Sequence, residues 1–397
     1  MKNTLITLII FLLLVVSCQN VDYIVIDTQS DSCKVLNLDQ LFESKTYTIS
    51  DLIDTVKVIS LETNSESILS NVQVLKMSDN NSVILDNYQN GSVAIFDKNG
   101  KFVCRLRQGN GPGEINGVYS FDVDEQFIYT LQIEKINKYS LTGDFIESYP
   151  IYEMHNTLFD CLQNVDDGFL LSINPCESKS GKFEVLHTDK EFNKKRQFVF
   201  GHHFHGYSTQ DVFRSNNDNV FFFPPLCNTI YKFDGNSFSP LYTLNYPKYE
   251  NTFETNPDCN SLGLEFQQKH CIQGKFFAEG RMYQTQDYLY LTFFDGYGGL
   301  FRMYLNTKIG KFRCGYMPSK EDAPIWTISF NHFVRCADNN YFVTMLSPDA
   351  YVSAEGNHLE ESVSILQHIS DEDKKKILNA KEDDNPLIIM YKLKSIE

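Results

Sequence analysis

The sequence predicts an all-β protein, a six-bladed β-propeller of four-stranded antiparallel blades with a small helical insertion in the last blade. Two observations predict this fold class. Units of strand, polar turn and strand recur five times along the 397 residues, at Val93–Leu106, Ile136–Ile151, Phe183–Phe200, Thr229–Leu244 and Phe301–Gly315. The phenylalanines that follow four of the turns lie 43, 47 and 46 residues apart, at Phe102, Phe145, Phe192 and Phe238. Such a period is typical of propeller blades.

The two ends of the sequence predict how the ring closes. A strand over residues 55–62 precedes the first complete set of four strands. The last set ends in Pro386–Leu393 and lacks one strand. We expect residues 55–62 to pair with Pro386–Leu393, because such a closure removes the free sheet edges that invite aggregation.

Two insertions interrupt the regular pattern. Residues 357–381 in the sixth blade have helical periodicity, and Ser370 and Asp373 have the spacing of a helix N-cap. Residues 248–274 separate the fourth and fifth blades. Both insertions are long enough to cover one face of the disc, which makes them candidate carriers of specificity.

The first 18 residues predict export and lipid attachment. The hydrophobic run Leu5–Val16 is too short to span a bilayer as a mature helix and is typical of a secretory signal. Val15–Cys18 resembles a bacterial lipobox, which implies cleavage before Cys18 and acylation of that cysteine. We therefore expect a signal peptide over residues 1–17, a lipidated tether over 18–34 and a single propeller domain over 35–397. The expected location is the bacterial cell envelope, on the outer membrane, facing the periplasm or the cell surface.

Charge argues against one class of partner, and cysteine spacing argues against two kinds of site. The formal net charge of −16 argues against nucleic acid, whose phosphates need a basic surface. Nine cysteines remain besides Cys18 and include no Cys-x-x-Cys pair, so neither a zinc ribbon nor a redox pair is predicted. The candidate disulfides are Cys259 with Cys271 and Cys161 with Cys176.

Two local motifs are speculative ligand-binding sites. Arg107–Glu114 contains three glycines, but it lacks the Lys-Ser/Thr of a phosphate loop and leads into a strand, so we interpret it as the crossover between blades one and two. A cluster of histidines follows the third repeat and could offer imidazoles to a metal ion. No carboxylate or cysteine completes the ligand set, which favours a solvated loop. The residues concerned are Arg107, Glu114, His202, His203 and His205. No cofactor is predicted, and a divalent cation bound in the central channel is kept as an alternative.

Four motifs resemble a known family. They are LET at 61–63, IFDKNGKF at 95–102 leading into GNGPGE at 109–114, NTIYK at 228–232 and DNPL at 384–387. This set is similar to the six-bladed β-propeller lipoproteins of Bacteroides-type bacteria. The resemblance implies an NHL-like propeller in the cell envelope and implies no catalytic residues. One departure lies in the third repeat, where Lys190 is aligned with Gly100 and Gly143.

Two functions from different classes remain. The favoured function is a non-catalytic module that binds a glycan, a peptide or an envelope protein. The alternative is an envelope lyase or glycan hydrolase that uses carboxylates in the propeller funnel. Candidates for such carboxylates are Asp122, Asp124, Asp295 and Glu279. Clustered carboxylates with a metal would favour the enzyme, and a plugged or aromatic funnel would favour binding.

Overall fold

The structure, a computed structural model, describes residues 22–26, 33–38, 52–86, 91–173, 183–200, 212–216, 219–223, 227–245, 277–294, 300–316, 334–338, 340–347 and 369–395. Its strands form six sheets, and the inner strands of neighbouring sheets contact one another in a closed ring. The predicted six-bladed β-propeller is therefore confirmed.

Three strands precede the first blade, β1 (Asp22–Val25), β2 (Lys34–Asn37) and β3 (Ile53–Ile59). Blade 1 contains β4 (Val72–Met77), β5 (Asn81–Asp86), β6 (Ser92–Asp97) and β7 (Phe102–Arg105). Blade 2 contains β8 (Ser120–Val123), β9 (Phe127–Leu131), β10 (Ile136–Ser140) and β11 (Phe145–Tyr149). The short helix α1 (Ile151–His155) leads to blade 3, which contains β12 (Phe159–Val165), β13 (Gly168–Ile173), β14 (Val185–Thr188) and β15 (Lys194–Val199).

Blade 4 contains β16 (Phe213–Asn216), β17 (Asn219–Phe222), β18 (Thr229–Phe233) and β19 (Phe238–Asn245). Blade 5 contains β20 (Phe277–Gln284), β21 (Tyr288–Phe294), β22 (Leu300–Asn306) and β23 (Phe312–Tyr316). Blade 6 contains β24 (Cys336–Ala337), β25 (Phe342–Leu346), β26 (Leu387–Leu393) and the early strand β3, and α2 (Asp371–Leu378) lies between β25 and β26 in the sequence.

The hydrophobic core lies between neighbouring blades, because the middle strands of each blade are buried on both faces. In the layer between blades 5 and 6, Tyr304 and Tyr391 are buried, and their hydroxyl oxygens are 2.8 Å apart. This hydrogen bond satisfies polar atoms that would otherwise be costly in an apolar layer. Edge-on and tilted contacts to Phe342 complete the layer.

The two ends of the chain close the ring as predicted. β3 pairs antiparallel with β26, with Val58 opposite Ile389 and Val56 opposite Tyr391. Asn385 fixes the junction, since its side-chain amide donates to the carbonyls of Glu62 and Ser67 at 2.8 and 3.0 Å. The last blade is thereby joined to the segment that begins the first blade.

The helical insertion in blade 6 is confirmed where it is described. The Ser370 hydroxyl accepts a hydrogen bond from the backbone N–H of Asp373 and so caps α2. The Lys376 ammonium group donates to the Val58 carbonyl at 2.9 Å, which holds α2 against β3. Residues 357–368 and the insertion 248–274 lie outside the described residues. No described helix is long and apolar enough to cross a membrane.

Two of the early strands add to the outside of the ring. β1 pairs in parallel with β15, and β2 pairs in parallel with β19, so blades 3 and 4 have five strands each. β1 lies within the predicted tether 18–34, and for this part of the segment the prediction is wrong. The outer strand of a blade has unpaired N–H and C=O groups that a further strand can satisfy. Four-residue strands leave too little alternation to be recognised in the sequence.

The turn of the third repeat also differs from the predicted alignment. Gly100 and Gly143 have φ values of +83° and +85°, and each donates its N–H to the carbonyl three residues earlier. In blade 3 the residue with the same bond and a φ of +63° is Phe192. Phe192, and not Lys190, therefore takes the glycine position. Alignment on the phenylalanine is misleading here because the aromatic residue lies inside the turn.

Candidate functional site

A wide cleft lies on one face of the disc. The turns between first and second strands, and between third and fourth strands, lie on this face because the strands of a blade alternate in direction. Turns of blades 2, 3 and 4 enclose a cleft of about 1080 Å³. The turns that line it include 124–126, 166–167, 190–191 and 234–235. Ligand sites are typically concave surfaces of this kind.

The cleft is strongly acidic. The described part of its lining contains eight carboxylates, Asp122, Asp124, Glu125, Glu147, Asp166, Asp167, Glu191 and Asp234. Among the residues that the structure describes, the lysines of this lining are Lys138 and Lys190. A cleft with one dominant sign of charge concentrates ligands of the opposite sign. This cleft therefore favours cationic ligands and disfavours polyanions.

Several of the carboxylates shape the turns that carry them. Asp124 Oδ1 accepts hydrogen bonds from the backbone N–H groups of Gln126 and Phe127 at 2.8 and 2.7 Å. Asp234 Oδ1 accepts two equivalent bonds from Asn236 and Ser237. Such Asx turns fix the loop backbone. By contrast, Glu125 and Asp166 are exposed at the tips of their turns.

Aromatic rings form part of the cleft wall beside the lysines. The Lys138 ammonium group lies 3.8 Å from the centroid of the Phe127 ring, a cation–π contact. The Tyr149 hydroxyl donates to Glu147 at 2.8 Å. Burial, followed by the charge of Asp124, raises the pKa of Tyr129 well above its usual range. Its phenol is therefore a hydrogen-bond donor at neutral pH and not a base.

A buried histidine supports the cleft from behind. His187 Nε2 lies 3.0 Å from Asp167 Oδ1, and Arg196 Nη1 lies 3.3 Å from His187 Nδ1. Burial, against the opposing charge of Asp167, lowers the pKa of His187 to about 4. At neutral pH the imidazole therefore donates from Nε2 to the carboxylate and accepts from the guanidinium group at Nδ1. Burial raises the pKa of Asp167, but the hydrogen bonds from Lys195 and His187 and the charge of Lys195 lower it overall.

The central channel opens next to the cleft. It is a cavity of about 100 Å³ that the inner strands of all six blades line. Every blade contributes at least one polar side chain to this lining, among them Lys76, Asp122, Gln163, Arg214, Tyr283 and Arg335. The Lys76 ammonium group and Asp122 form an ion pair at 2.9 Å. Asp122 and Gln163 line both the channel and the cleft.

Comparisons with known proteins place the chain in a family. The family model described as Domain of unknown function (DUF4934) matches residues 33–392. The chain belongs to this family. A search of curated proteins finds no match.

One solved structure shares the fold of this DUF4934 protein, and a second shows a weaker similarity. A Bacteroides fragilis protein that is described as exported (BF0058) superposes with a TM-score of 0.65 at 17% identity, over 94% of this chain and 100% of its own. A member of the DUF4221 family from Bacteroides vulgatus gives a TM-score of 0.47 at 11% identity, over 86% of this chain and 98% of its own. At these identities the likeness to BF0058 concerns the fold alone.

The predicted motif Arg107–Glu114 lies on the face opposite the cleft. It joins β7 to β8, as predicted. The Glu114 carboxylate pairs with Arg107 Nε at 2.9 Å and accepts the Gly111 N–H at 2.8 Å. These bonds close the loop on itself, and ligand binding by Arg107 and Glu114 stays a prediction.

The other predicted site residues divide into two groups. Asp122 lies in the channel and Asp124 in the adjoining cleft, so the structure brings these two together. The side chain of Glu279 is not described. The remaining candidates lie outside the described residues, namely Cys18, His202, His203, His205, Asp295 and the disulfide candidates Cys176, Cys259 and Cys271. Within the described part of the chain, no three His, Cys, Asp or Glu side chains form a metal-ligand group.

Sequence reasoning missed the cationic residues of the channel. Lys76, Arg214 and Arg335 belong to blades 1, 4 and 6 and are separated by more than a hundred residues from one another. Only the closed ring brings them to one cavity. A period that places one polar residue on each inner strand is the signal that could have found them.

Proposed function

We propose that this DUF4934 protein is a non-catalytic binding module of the bacterial cell envelope, anchored by lipid on Cys18, that binds a cationic segment of a peptide or envelope protein. The leader and the lipobox-like residues support the location and the anchor. The description of BF0058 as an exported Bacteroides protein agrees with that location.

The observation that carries the proposed ligand class is the acidic cleft of about 1080 Å³. Among the described lining residues, eight carboxylates and two lysines surround a space that is large enough for an extended segment of several residues. Lys and Arg side chains of a ligand would find carboxylates at Glu125 and Asp166, while their aliphatic stems would pack on rings such as Phe127.

The alternative of a lyase or hydrolase receives less support from the described carboxylates. General acid–base catalysis requires a carboxyl group that can reach and protonate the substrate. Asp122 accepts bonds from Lys76 on Oδ1 and from Gln163 and Asn164 on Oδ2. Both of its oxygens are thus engaged within the protein, which is typical of a structural role.

The ligand class is tested with a fluorescent oligolysine peptide and an oligoglutamate peptide in anisotropy titrations. We expect the mature protein to bind oligolysine only, with an affinity that falls as salt rises. The double variant Glu125→Gln/Asp166→Asn should bind about fivefold or more weakly, because two exposed cleft charges are lost. Glu382→Gln removes an exposed charge between α2 and β26 and is the matched control. Equal binding by the double variant and the control would contradict the proposal.

The anchor is tested separately. Cys18→Ala should remove metabolic labelling with a fatty acid and leave the protein unprocessed or in the soluble periplasmic fraction. A variant that is still lipid-labelled would show that the lipid is attached elsewhere or that the leader is of another type.

A further inference from the structure

The outer edges of blades 3 and 4 each carry a strand from the N-terminal part of the chain. β1 pairs with Arg196–Val199 of β15, and β2 pairs with Tyr242–Asn245 of β19. Both added strands run parallel to the outer strand that they cover. Blade 2 ends at β11, and of the described strands none pairs with its outer edge. The outer edge of β11 is therefore the corresponding position without an added strand.

The outer strands of these three blades share a β-bulge. Each contains one extra residue relative to the third strand of its blade, namely Ile146, Lys195 and Leu241 in blades 2, 3 and 4. β1 and β2 pair with the four residues that directly follow the bulge. The equivalent positions of blade 2 are 147–150. Blade 2 thus has the backbone arrangement at which blades 3 and 4 accept a further strand.

The edge of β11 has an apolar part and an acidic part. Phe145 and Ile146 are 41 and 45% exposed, and Glu147 and Ser148 are exposed as well. A sheet edge with large exposed apolar side chains is a template for pairing with another chain. Glu147 takes the position that Arg196 has in blade 3. The complementary residue of an added strand on blade 2 is therefore basic.

The edge of β11 is continuous with the acidic cleft. Glu147 and Tyr149 belong to β11 and also to the lining of the cleft. Because β11 is the outermost strand of blade 2, the cleft extends to the rim of that blade. A peptide segment that lies in the cleft can therefore continue along β11.

Pro150 limits how firmly this edge can hold a strand. In blade 3 the fourth pairing position is Val199, whose carbonyl accepts the Ile26 N–H at 2.7 Å. In blade 2 this position is Pro150, which has no N–H, and its carbonyl accepts the Met154 N–H of α1 at 3.1 Å. An added strand would therefore make fewer backbone hydrogen bonds on blade 2. A shorter ladder suits a ligand that binds and dissociates, whereas β1 and β2 are part of the chain itself.

We propose that the outer edge of β11 captures an extended segment of a partner protein as a fifth strand of blade 2, in the parallel direction of β1 and β2. The segment has a Lys or Arg opposite Glu147, and the apolar residues that precede it pack against Phe145 and Ile146. In this mode of recognition, backbone hydrogen bonds supply affinity and alternate side chains supply selectivity. The inference rests on the proposed cleft function, since the same cationic segment continues from the cleft onto the edge.

The first test asks whether the ligand pairs through its backbone. The probe is a short fluorescent peptide in which valine and isoleucine precede lysine, prepared with N-methyl groups on one or the other set of alternate backbone nitrogens. Only one set of N–H groups of a strand faces its neighbour. We expect the two methylated peptides to differ about tenfold or more in affinity for the mature protein, although their composition and charge are the same.

The second test alters the edge of the protein. Backbone groups alternate in direction along a strand, so the outward-facing position before 150 is Ser148. Ser148→Pro removes that N–H, and proline is tolerated at a strand edge that faces solvent. It should weaken binding of the unmethylated probe about fivefold or more and leave oligolysine binding unchanged. Ser148→Ala keeps the N–H and is the matched control.

The third test concerns the residue opposite Glu147. Glu147→Lys should weaken binding of the lysine-containing probe by about two- to fivefold, because a cross-strand pair of opposite charge becomes a pair of like charge. The same variant should bind a probe with glutamate in place of lysine more tightly than the parent does.

The contrary outcomes are distinct. Equal affinities of the two methylated peptides, or parental affinity in a folded Ser148→Pro, would overturn the proposal. If Ser148→Pro does not fold, the methylated peptides decide the question with the parent protein alone. Oligolysine binding in the absence of any edge effect would leave the cleft function standing. A dimer of the parent that Ser148→Pro dissociates would show that the edge pairs with a second copy, which would also overturn the proposal.

Discussion

Phe192 shows how side-chain packing can outweigh backbone preference. Bulky residues rarely adopt positive φ, and the left-handed region costs about 1–2 kcal/mol. Phe192 nevertheless occupies it, at φ +63°, where blades 1 and 2 have glycine. Its ring is fully buried and is stacked on Phe169 with a centroid distance of 4.4 Å. It also contacts Tyr149, at 4.7 Å. The aromatic contacts offset the backbone strain.

We expect Phe192→Gly and Phe192→Ala both to lower the free energy of unfolding by about 3 kcal/mol, because each removes a buried ring. The glycine variant should be the more stable of the two by about 1 kcal/mol, since only alanine retains the strain at positive φ. Urea unfolding of both variants and the parent measures this order. If the alanine variant were the more stable, the left-handed assignment of this residue would be wrong.

At the scale of elements, the closure of the ring was predictable because it follows from counting strands. One strand was left over at the start of the sequence and one was missing at the end. The added strands β1 and β2 were not predictable from the same argument. Each is four residues long and lies on an outer edge, so neither has the buried alternating pattern that identifies a blade strand.

The closing strand provides a direct test of the ring. Val58 is 2% exposed and belongs to the core cluster that contains Ile389 and Tyr391. Val58→Asp would bury a carboxylate in this cluster and should lower the free energy of unfolding by more than about 3 kcal/mol.

Lys57→Gln on the same strand is the control for Val58→Asp. Lys57 points outward and lies 4.4 Å from the centroid of the Tyr341 ring. Its replacement should cost less than about 1 kcal/mol, the worth of an exposed cation–π contact. Thermal unfolding compares the melting temperatures of the two variants. Similar melting temperatures would mean that this strand is not part of the core.

At the scale of the whole molecule, the fold was far more predictable than its sites. Strand and turn signals are local, so each blade can be recognised by itself. The cleft combines turns of three blades, and the channel combines inner strands of six. Asp122 was a candidate because a carboxylate in the interior of a blade can face the channel, whereas Arg214 had no local feature that marked it. Sites that exist only after ring closure leave no contiguous motif in the sequence.

Two buried histidines make global stability depend on pH. Burial lowers the pKa of both His155 and His187 to about 4, below the value of about 6.5 expected when the chain is unfolded. Below pH 6.5 the unfolded state binds protons that the folded state does not. Stability is therefore full above about pH 6.5 and is lost as the pH falls toward 4, by on the order of 2 kcal/mol for each histidine.

His187→Gln isolates one of these contributions, because glutamine can donate to Asp167 and accept from Arg196 without titrating. Urea unfolding at pH 7.5 and pH 5 should show a smaller loss of stability for this variant than for the parent, by about 1–2 kcal/mol. The charged neighbours Asp167, Lys195 and Arg196 are present in both proteins. An identical loss in the two proteins would show that His187 is not responsible.

The direction of β1 has a consequence for how the protein would sit at a membrane. β1 runs parallel to β15, with Asp22 opposite Arg196, and β15 starts directly after the cleft-lining turn of Lys190 and Glu191. The chain therefore enters β1 from the cleft side of the disc. Cys18 precedes Asp22 by four residues, a reach of at most about 14 Å. With the lipid proposed at Cys18, a short tether would hold the acidic cleft facing the bilayer. Its ligands would then be molecules that are held at the membrane surface.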